Sequence, residues 1–193
     1  MPADLGSRWP LASHHDVRDA LLSAYGTGRG YHDLRHLTEV LDRLADLGCD
    51  DAVVLLAAWF HDAVYDAEPG DEERSAQWAE RALPAPMAAE VARLVRVTEA
   101  HDPAADDAGG QWLCDADLAI LAAPPLRYEE YAADVRREYA HLSGTDFAAG
   151  RAAILRDLLG RPALFRTSLA RELWERPARA NVAAEIERLG GTR

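Results

Sequence analysis

The stretch Asp51-Ala-Val-Val-Leu-Leu-Ala-Ala-Trp-Phe-His61-Asp62 decides the fold of this chain. Every residue from 52 to 60 is apolar, and such a run favours a helix that is buried on all sides. His61 and Asp62 follow at its end, so both side chains are expected inside the protein. Because a buried carboxylate is costly unless a cation or several donors compensate it, the pair indicates a bound metal ion.

Helical periodicity continues on both sides of this stretch. Residues 33–47 carry a Leu/Val stripe on one face and end before Gly48, which is typical of an amphipathic helix and its C-terminal stop. No strand alternation persists, and no linker separates two cores. The sequence therefore predicts an all-α fold, a single compact helical bundle over residues 1–193. The expected helices cover residues 11–25, 33–47, 51–64, 72–82, 87–100, 111–122, 125–141, 146–159 and 167–190, the last broken at Pro177.

Composition restricts the function classes. The formal net charge of −12 repels phosphate backbones, so nucleic acid is not expected as a partner. The N-terminus has no signal-peptide pattern, and no apolar run approaches the ~20 residues of a membrane helix. The expectation is a cytoplasmic protein without membrane contact. Cys49 and Cys114 are isolated and are expected to be buried thiols.

All 21 basic residues are arginines. The absence of lysine excludes Schiff-base and P-loop chemistry. Arginine is then the only side chain that can clamp an anion with a fixed positive charge.

Candidate metal ligands come from three separate helices. His36 lies at the edge of the Leu/Val stripe, and His32, one turn earlier, lies further out. Downstream, Asp115 is suited to cap a helix, whereas Asp117 lies within an apolar run and needs a partner. Two imidazoles and carboxylates favour a divalent ion such as Mn, Co, Ni, Fe, Zn or Mg, with an open position typical of a catalytic site.

The spacing of His36, His61-Asp62 and Asp117 resembles the H…HD…D signature of the HD-domain superfamily of metal-dependent phosphohydrolases. Further phrases resemble a bacterial group of predicted HD-superfamily hydrolases over roughly residues 25–190. These phrases are Tyr31-His-x-x-x-His36, Phe60-His-Asp-Ala-Val-Tyr65-Asp66, Thr98-x-x-His101, Cys114-Asp-Ala-Asp-Leu118, Glu138-Tyr139, Arg151-x-x-Ile-Leu155 and Ala178-Arg179-x-Asn181.

The resemblance implies that His36, His61, Asp62 and Asp117 hold one divalent metal ion, with Asp115 as a secondary candidate. It also implies a small phosphorylated substrate, chiefly a nucleotide, hydrolysed by metal-activated water.

The leaving group of such a reaction needs an acid. Asp66 and Glu73 follow the His-Asp pair and are the candidates for this catalytic role, beside Glu72; a solvated acidic loop is the alternative interpretation.

The phosphate needs donors as well as the metal. Arg151 and Arg179, together with His32 and His101, are the substrate-binding candidates. Surface positions for the arginines, and a helix-capping role for His101, are the competing interpretations.

Two other functions stay open at this point. A di-iron oxygenase on the same fold would recruit His101 and His32 to hold a second ion. A non-catalytic metal or nucleotide sensor would bind without turnover. The aromatic spacing from Tyr128 to Tyr139 indicates either core packing or a homodimer contact.

Overall fold

The computed structural model describes residues 5–191, and within this range the protein is all-α, with no strand. This confirms the fold class that the sequence predicts. Short 3-10 turns at Leu5–Arg8 and Ala119–Ala122 accompany the α-helices. The helices are α1 (His15–Tyr25), α2 (Leu34–Asp46), α3 (Ala52–Phe60), α4 (Asp71–Ala82), α5 (Met87–Val97), α6 (Ala108–Leu118), α7 (Pro125–Glu138), α8 (Gly144–Gly160) and α9 (Ser168–Gly191).

Helix α3 lies at the centre of the fold. Asp51 caps its N-terminus by accepting hydrogen bonds from the backbone N–H groups of Val53 and Val54. Its residues from Leu56 to Phe60 are fully buried. Helices α2, α4, α5 and α6 all pack against it, so the end of α3 falls inside the protein.

The buried apolar side chains form two clusters. The first extends from Trp9 to Ala116 and surrounds α3. The second consists of Tyr31 and residues from Leu118 to Val182, and it joins the 3-10 turn after α6 to helices α7, α8 and α9. Asp117 therefore stands at the point in α6 where one cluster ends and the other begins.

Helix α6 begins three residues earlier than the sequence predicts. Asp107 caps it by accepting the backbone N–H of Gly110, although Gly109 and Gly110 favour a loop by propensity. A Cβ atom at Gly109 would lie 3.4 Å from side chains of Val54 and Leu94. The glycine therefore lets α6 approach α3 and α5 closely.

The predicted break at Pro177 is wrong, since α9 continues through it to Gly191. Pro177 lies on the exposed side of the helix, as does Leu173, whose carbonyl loses its partner. That carbonyl can be solvated, so the proline costs less there than in a buried helix.

The aromatic residues of α7 are core residues: Tyr128 and Tyr131 are buried in the second cluster. Cys49 and Cys114 are buried free thiols, as expected. Between residues 5 and 191 no helix has the length and apolarity to cross a bilayer.

Candidate metal centre

Three helix ends bring the four predicted metal ligands together. His36 lies in the first turn of α2, where Asp33 accepts its backbone N–H at 3.1 Å. His61 follows the last residue of α3, Asp62 comes next in the turn, and Asp117 lies in the last turn of α6. These positions direct the side chains to one buried point between α2, α3 and α6.

The nitrogen and oxygen atoms of these side chains that could bind a metal ion lie close together. The Nε2 atoms of His36 and His61 are 3.0 Å apart. Asp62 Oδ2 lies 3.2 Å from His36 Nε2 and 2.9 Å from His61 Nε2. Asp117 Oδ1 lies 3.3 Å from His36 Nε2 and 3.7 Å from His61 Nε2. One ligand atom from each of His36, His61 and Asp117 lies within 4.8 Å of the others, and such a group could hold a metal ion.

The tautomer of His61 is fixed by the backbone. Its Nδ1 lies 2.8 Å from the carbonyl oxygen of Ala58, which can only accept, so Nδ1 donates. In the neutral ring, Nε2 then carries a lone pair towards the cluster. The buried Oδ2 of Asp62 lies close to this nitrogen but finds no hydrogen-bond donor with normal geometry among the described residues. A proton or a metal ion stabilises lone pairs that converge in this way.

The spacing also fits a divalent ion. Metal bonds to imidazole or carboxylate of about 2.1 Å give ligand-to-ligand distances of about 3.0 Å in an octahedron and about 3.4 Å in a tetrahedron. The observed contacts from 2.9 to 3.7 Å fall around these values. Two nitrogens and two oxygens suit Mn, Fe, Co, Ni or Zn better than Ca.

Electrostatics at the cluster favour positive charge. Burial acts to lower the pKa of His36, but the nearby carboxylates of Asp117 and Asp62 outweigh it, and the pKa lies above the ordinary value. The pKa of His61 lies well above its ordinary value for similar reasons. The pKa values of Asp62 and Asp117 lie well below the ordinary range, because the imidazoles outweigh the burial that would raise them. The site therefore attracts a cation, whether protons or a metal ion.

His101 supports Asp117 rather than facing the other imidazoles. Its Nε2 lies 2.7 Å from Asp117 Oδ2, the oxygen that His36 does not approach. His101 has a φ of 48°, in the left-handed region, and Arg161 donates to the carbonyl oxygens of His101 (2.8 Å) and Ala100 (3.1 Å). The arginine thus holds a strained turn that orients Asp117.

Arg29 clamps the turn that contains Asp62. Its guanidinium donates to the carbonyl oxygens of Asp62 at 2.6 Å, Ala63 at 2.9 Å and His32 at 2.9 Å. The hydroxyl of Tyr25 accepts the backbone N–H of Asp62 at 3.1 Å. These contacts fix the backbone on both sides of the Asp62 side chain. The spacing of the sequence gives no indication that Arg29 has this role.

Glu138 holds His32 and its loop. One carboxylate oxygen accepts the backbone N–H groups of Gly30, Tyr31 and His32 at 3.1, 2.8 and 2.9 Å, and the other lies 2.8 Å from His32 Nδ1. The ring of His32 stacks on Tyr65 at 3.8 Å between centroids. His32 does not join the ligand cluster but lies beside it.

A front cavity of about 540 Å³ opens over this side of the cluster. We define it by His32, Asp62, His101, Asp117 and Arg151, all of which line it. Its volume lies within the usual range for small-molecule sites. The wall also contains acidic and aromatic side chains: Glu68, Asp71, Glu72, Glu99, Asp146, Tyr65, Tyr131, Tyr139 and Phe147.

The two catalytic candidates lie outside this cavity. Asp66 is exposed and pairs with Arg74 at 3.2 Å, and Glu73 is exposed and pairs with Arg96 at 2.6 Å. Their neighbour Glu72 does line the cavity, and burial, followed by the charges of nearby carboxylates, raises its pKa. Because adjacent helical residues point about 100° apart, only one of Glu72 and Glu73 can face the site.

Of the two arginine candidates, Arg151 lies at the front cavity and Arg179 does not. Arg151 lines the front cavity while donating to Glu185 Oε1 at 3.0 Å and the hydroxyl of Tyr131 at 2.6 Å. Arg179 does not line it. Its guanidinium donates to Glu175 at 2.6 Å and to the carbonyl oxygens of Leu159 and Arg161, which is a structural role.

Asp115 is fully buried but faces away from the cluster. Its carboxylate accepts the backbone N–H groups of Arg166 and Thr167, each at 2.7 Å, and so anchors the loop before α9. The expectation that it could cap α6 is wrong, because Asp107 has that place. Of the pair Asp115 and Asp117, only the second points to the candidate metal centre.

Comparisons with protein-family models, with curated proteins and with solved structures found nothing that matches this chain.

Proposed function

We propose that this protein is a metal-dependent phosphohydrolase of the HD-domain type, which acts on a small phosphate monoester such as a nucleoside monophosphate. The observation that carries the proposal is the convergence of two imidazole nitrogens and two carboxylate oxygens at the base of an open cavity. The resemblance of the same residues to the H…HD…D signature supports it. A structural metal site would be closed on all sides, whereas this one has room for substrate.

A divalent ion bound by these four side chains would supply the Lewis acidity that lowers the pKa of water and polarises a phosphoryl oxygen. Side chains of the protein would bind the phosphate and protonate the leaving group. Arg151 offers a buried positive charge in the cavity wall, where it can approach a phosphate oxygen. Glu72 is the acid best placed to protonate a leaving oxygen, since its raised pKa keeps a larger fraction protonated near neutral pH.

The charge of the cavity restricts the substrate. Glu68, Asp71, Glu72 and Glu99 line the wall, while Arg151 is already paired with Glu185. Such a wall repels triphosphates and other highly charged anions more strongly than a monoester. The aromatic side of the cavity, with Tyr65 and Tyr131, suits a flat organic group.

The proposal is tested by purifying the protein without chelator, measuring bound metal by elemental analysis, and screening phosphate release from mono-, di- and triphosphates with Mn, Co, Ni or Mg. About one metal per chain and release favouring monoesters are expected. Two metals per chain with oxygen consumption and no phosphate release would instead support an oxygenase. Metal binding without turnover of any compound would support a sensor.

A further inference from the structure

A second, smaller cavity lies behind the candidate metal centre. This rear cavity, of about 160 Å³, is lined largely by apolar side chains of α2, α6 and the turn after α6, and its polar lining residues include Tyr31, His36, Glu39, Asp117 and Arg127. It shares Asp117 with the front cavity, but His36 lines the rear cavity and not the front one. The candidate metal centre therefore borders a second cavity on the side of His36.

Three polar atoms of residues around the rear cavity are buried and find no hydrogen-bond partner among residues 5–191. They are Nδ1 of His36, the hydroxyl oxygen of Tyr31 and Nη1 of Arg127. His36 is 1% exposed and Tyr31 is 4% exposed. An unsatisfied buried polar group is unfavourable, and three around one cavity indicate a shared partner.

The Nδ1 atom of His36 determines whether the shared partner must accept or donate a hydrogen bond. Its Nε2 faces His61 and the two carboxylates, so Nδ1 lies on the other edge of the ring. If Nε2 binds a metal, Nδ1 carries the ring proton and must donate it. Metal-bound histidines almost always donate this proton to a carboxylate, a carbonyl or water. His61 donates to Ala58, whereas Nδ1 of His36 has no acceptor in the part of the chain that the structure describes.

We propose that the rear cavity holds ordered water, and that this water accepts the Nδ1–H of His36 and bonds to Tyr31 and Arg127. The volume suffices for more than one molecule, and a buried water typically makes about three hydrogen bonds. Water fits better than an anion. The Nε and Nη2 atoms of Arg127 each lie 2.7 Å from an oxygen of Glu39, so its charge is already compensated.

The inference rests on the metal site in the proposed function and extends it: Tyr31 becomes a positioning residue for the ligand His36. Its ring packs against His36 at 4.6 Å between centroids, so Tyr31→Phe removes the hydroxyl and keeps the packing. The matched control is Tyr128→Phe, because Tyr128 is also buried but donates to Glu185, away from the cluster.

Two measurements test the inference. A high-resolution crystal structure of the Co²⁺-loaded protein should show a water within hydrogen-bond distance of His36 Nδ1. Titration with Co²⁺ should give Tyr31→Phe a weaker Kd than wild type, by roughly 10-fold, with a changed ligand-field spectrum, while Tyr128→Phe binds as wild type. A cavity without water, or equal Kd values for the two variants, would overturn it. Neither measurement uses phosphate release, so the proposed hydrolysis can fail separately.

Discussion

The Nε2 atoms of His36 and His61 face each other at 3.0 Å, although the two residues lie on different helices and 25 positions apart. Two neutral imidazoles gain little from such a contact, because the Nδ1 proton of His61 is already committed to Ala58. The contact is favourable only when a cation lies between the nitrogens or a proton is shared. The following predictions start from this relationship.

Removal of one carboxylate should weaken metal binding strongly. Asp62→Asn and Asp117→Asn each replace a charged candidate ligand. We expect the Kd for Co²⁺ to rise by more than about 100-fold, which exceeds the usual effect of changing a residue that only contacts a ligand. Titration calorimetry measures it. Asp66→Asn is the control, because Asp66 is exposed outside the front cavity; wild-type affinity in Asp62→Asn would contradict the site.

Metal affinity should increase with pH. In the metal-free protein His36 and His61 have raised pKa values, so they keep protons above the ordinary histidine range and a metal ion must displace them. The lowered pKa values of Asp62 and Asp117 leave both carboxylates ionised throughout this window. We expect tighter binding and less proton release as the pH rises from 6 towards 9, measured by titration in buffers of different ionisation enthalpy. A pH-independent Kd would argue against imidazole ligands.

Stability of the metal-free protein should respond to pH in both directions. The raised histidine pKa values contribute stability that is present below about pH 6.5 and is lost as the pH rises through the folded-state values. The lowered aspartate values contribute stability that is present above about pH 4 and is lost on acidification. Urea unfolding should therefore show a maximum between these limits, and saturating metal should move it to higher pH.

Arg29→Met should loosen the turn that carries Asp62. The change removes three hydrogen bonds to backbone carbonyls while retaining part of the stacking on Tyr25. We expect a loss of about 2 kcal/mol in the free energy of unfolding and a roughly 10-fold weaker metal Kd. Arg18→Met is the control, since Arg18 pairs with its exposed neighbour Asp19; equal effects in both variants would refute the clamp.

Asp115→Ala should destabilise the protein without affecting the metal. It leaves the half-buried backbone N–H groups of Arg166 and Thr167 without this acceptor, at a cost of about 1–3 kcal/mol, while the four candidate ligands stay in place. Chemical denaturation and metal titration of the same variant separate the two effects. A selective loss of metal binding would assign Asp115 to the metal centre instead.

Glu72→Gln and Glu73→Gln should differ in turnover. Glu72 lines the front cavity, so its change should lower kcat by about 100-fold if it is the general acid, whereas Glu73→Gln should leave kcat near wild type. The rate of the wild type should also fall as the pH rises through the raised pKa of Glu72. Equal kcat values in the two variants would exclude this assignment.

The sequence predicts the inward position of His61, Asp62 and Asp117, because each follows or interrupts an apolar segment. An imidazole and a carboxylate after the apolar residues of α3, and Asp117 within an apolar segment, are residues that packing alone would not select. The sequence also predicts the helices, because apolar periodicity is a local property that can be read from neighbouring residues.

The surroundings of the site are harder to predict. Whether Glu72 or Glu73 faces inward depends on where α4 begins, which Gly70 and the packing of α4 on α5 decide. Arg151 and Arg179 are both arginines in helical segments of similar sequence. The carboxylate that Arg151 contacts lies 34 residues away, whereas the one that Arg179 contacts lies 4 residues away. The pair Arg151–Glu185 depends on tertiary structure and leaves no signal in spacing, whereas Arg179–Glu175 is an i,i+4 pair that helical spacing can indicate.

Asp117 stands between the two apolar clusters, while His36 and His61 lie on helices of the first. Each cluster can in principle open as a separate cooperative unit. An ion shared by these residues joins the units, so that opening at the junction requires its release. Metal occupancy then sets how cooperatively the chain unfolds, and amide exchange in α7, α8 and α9 should slow together with exchange in α2 and α3 as the free metal concentration increases.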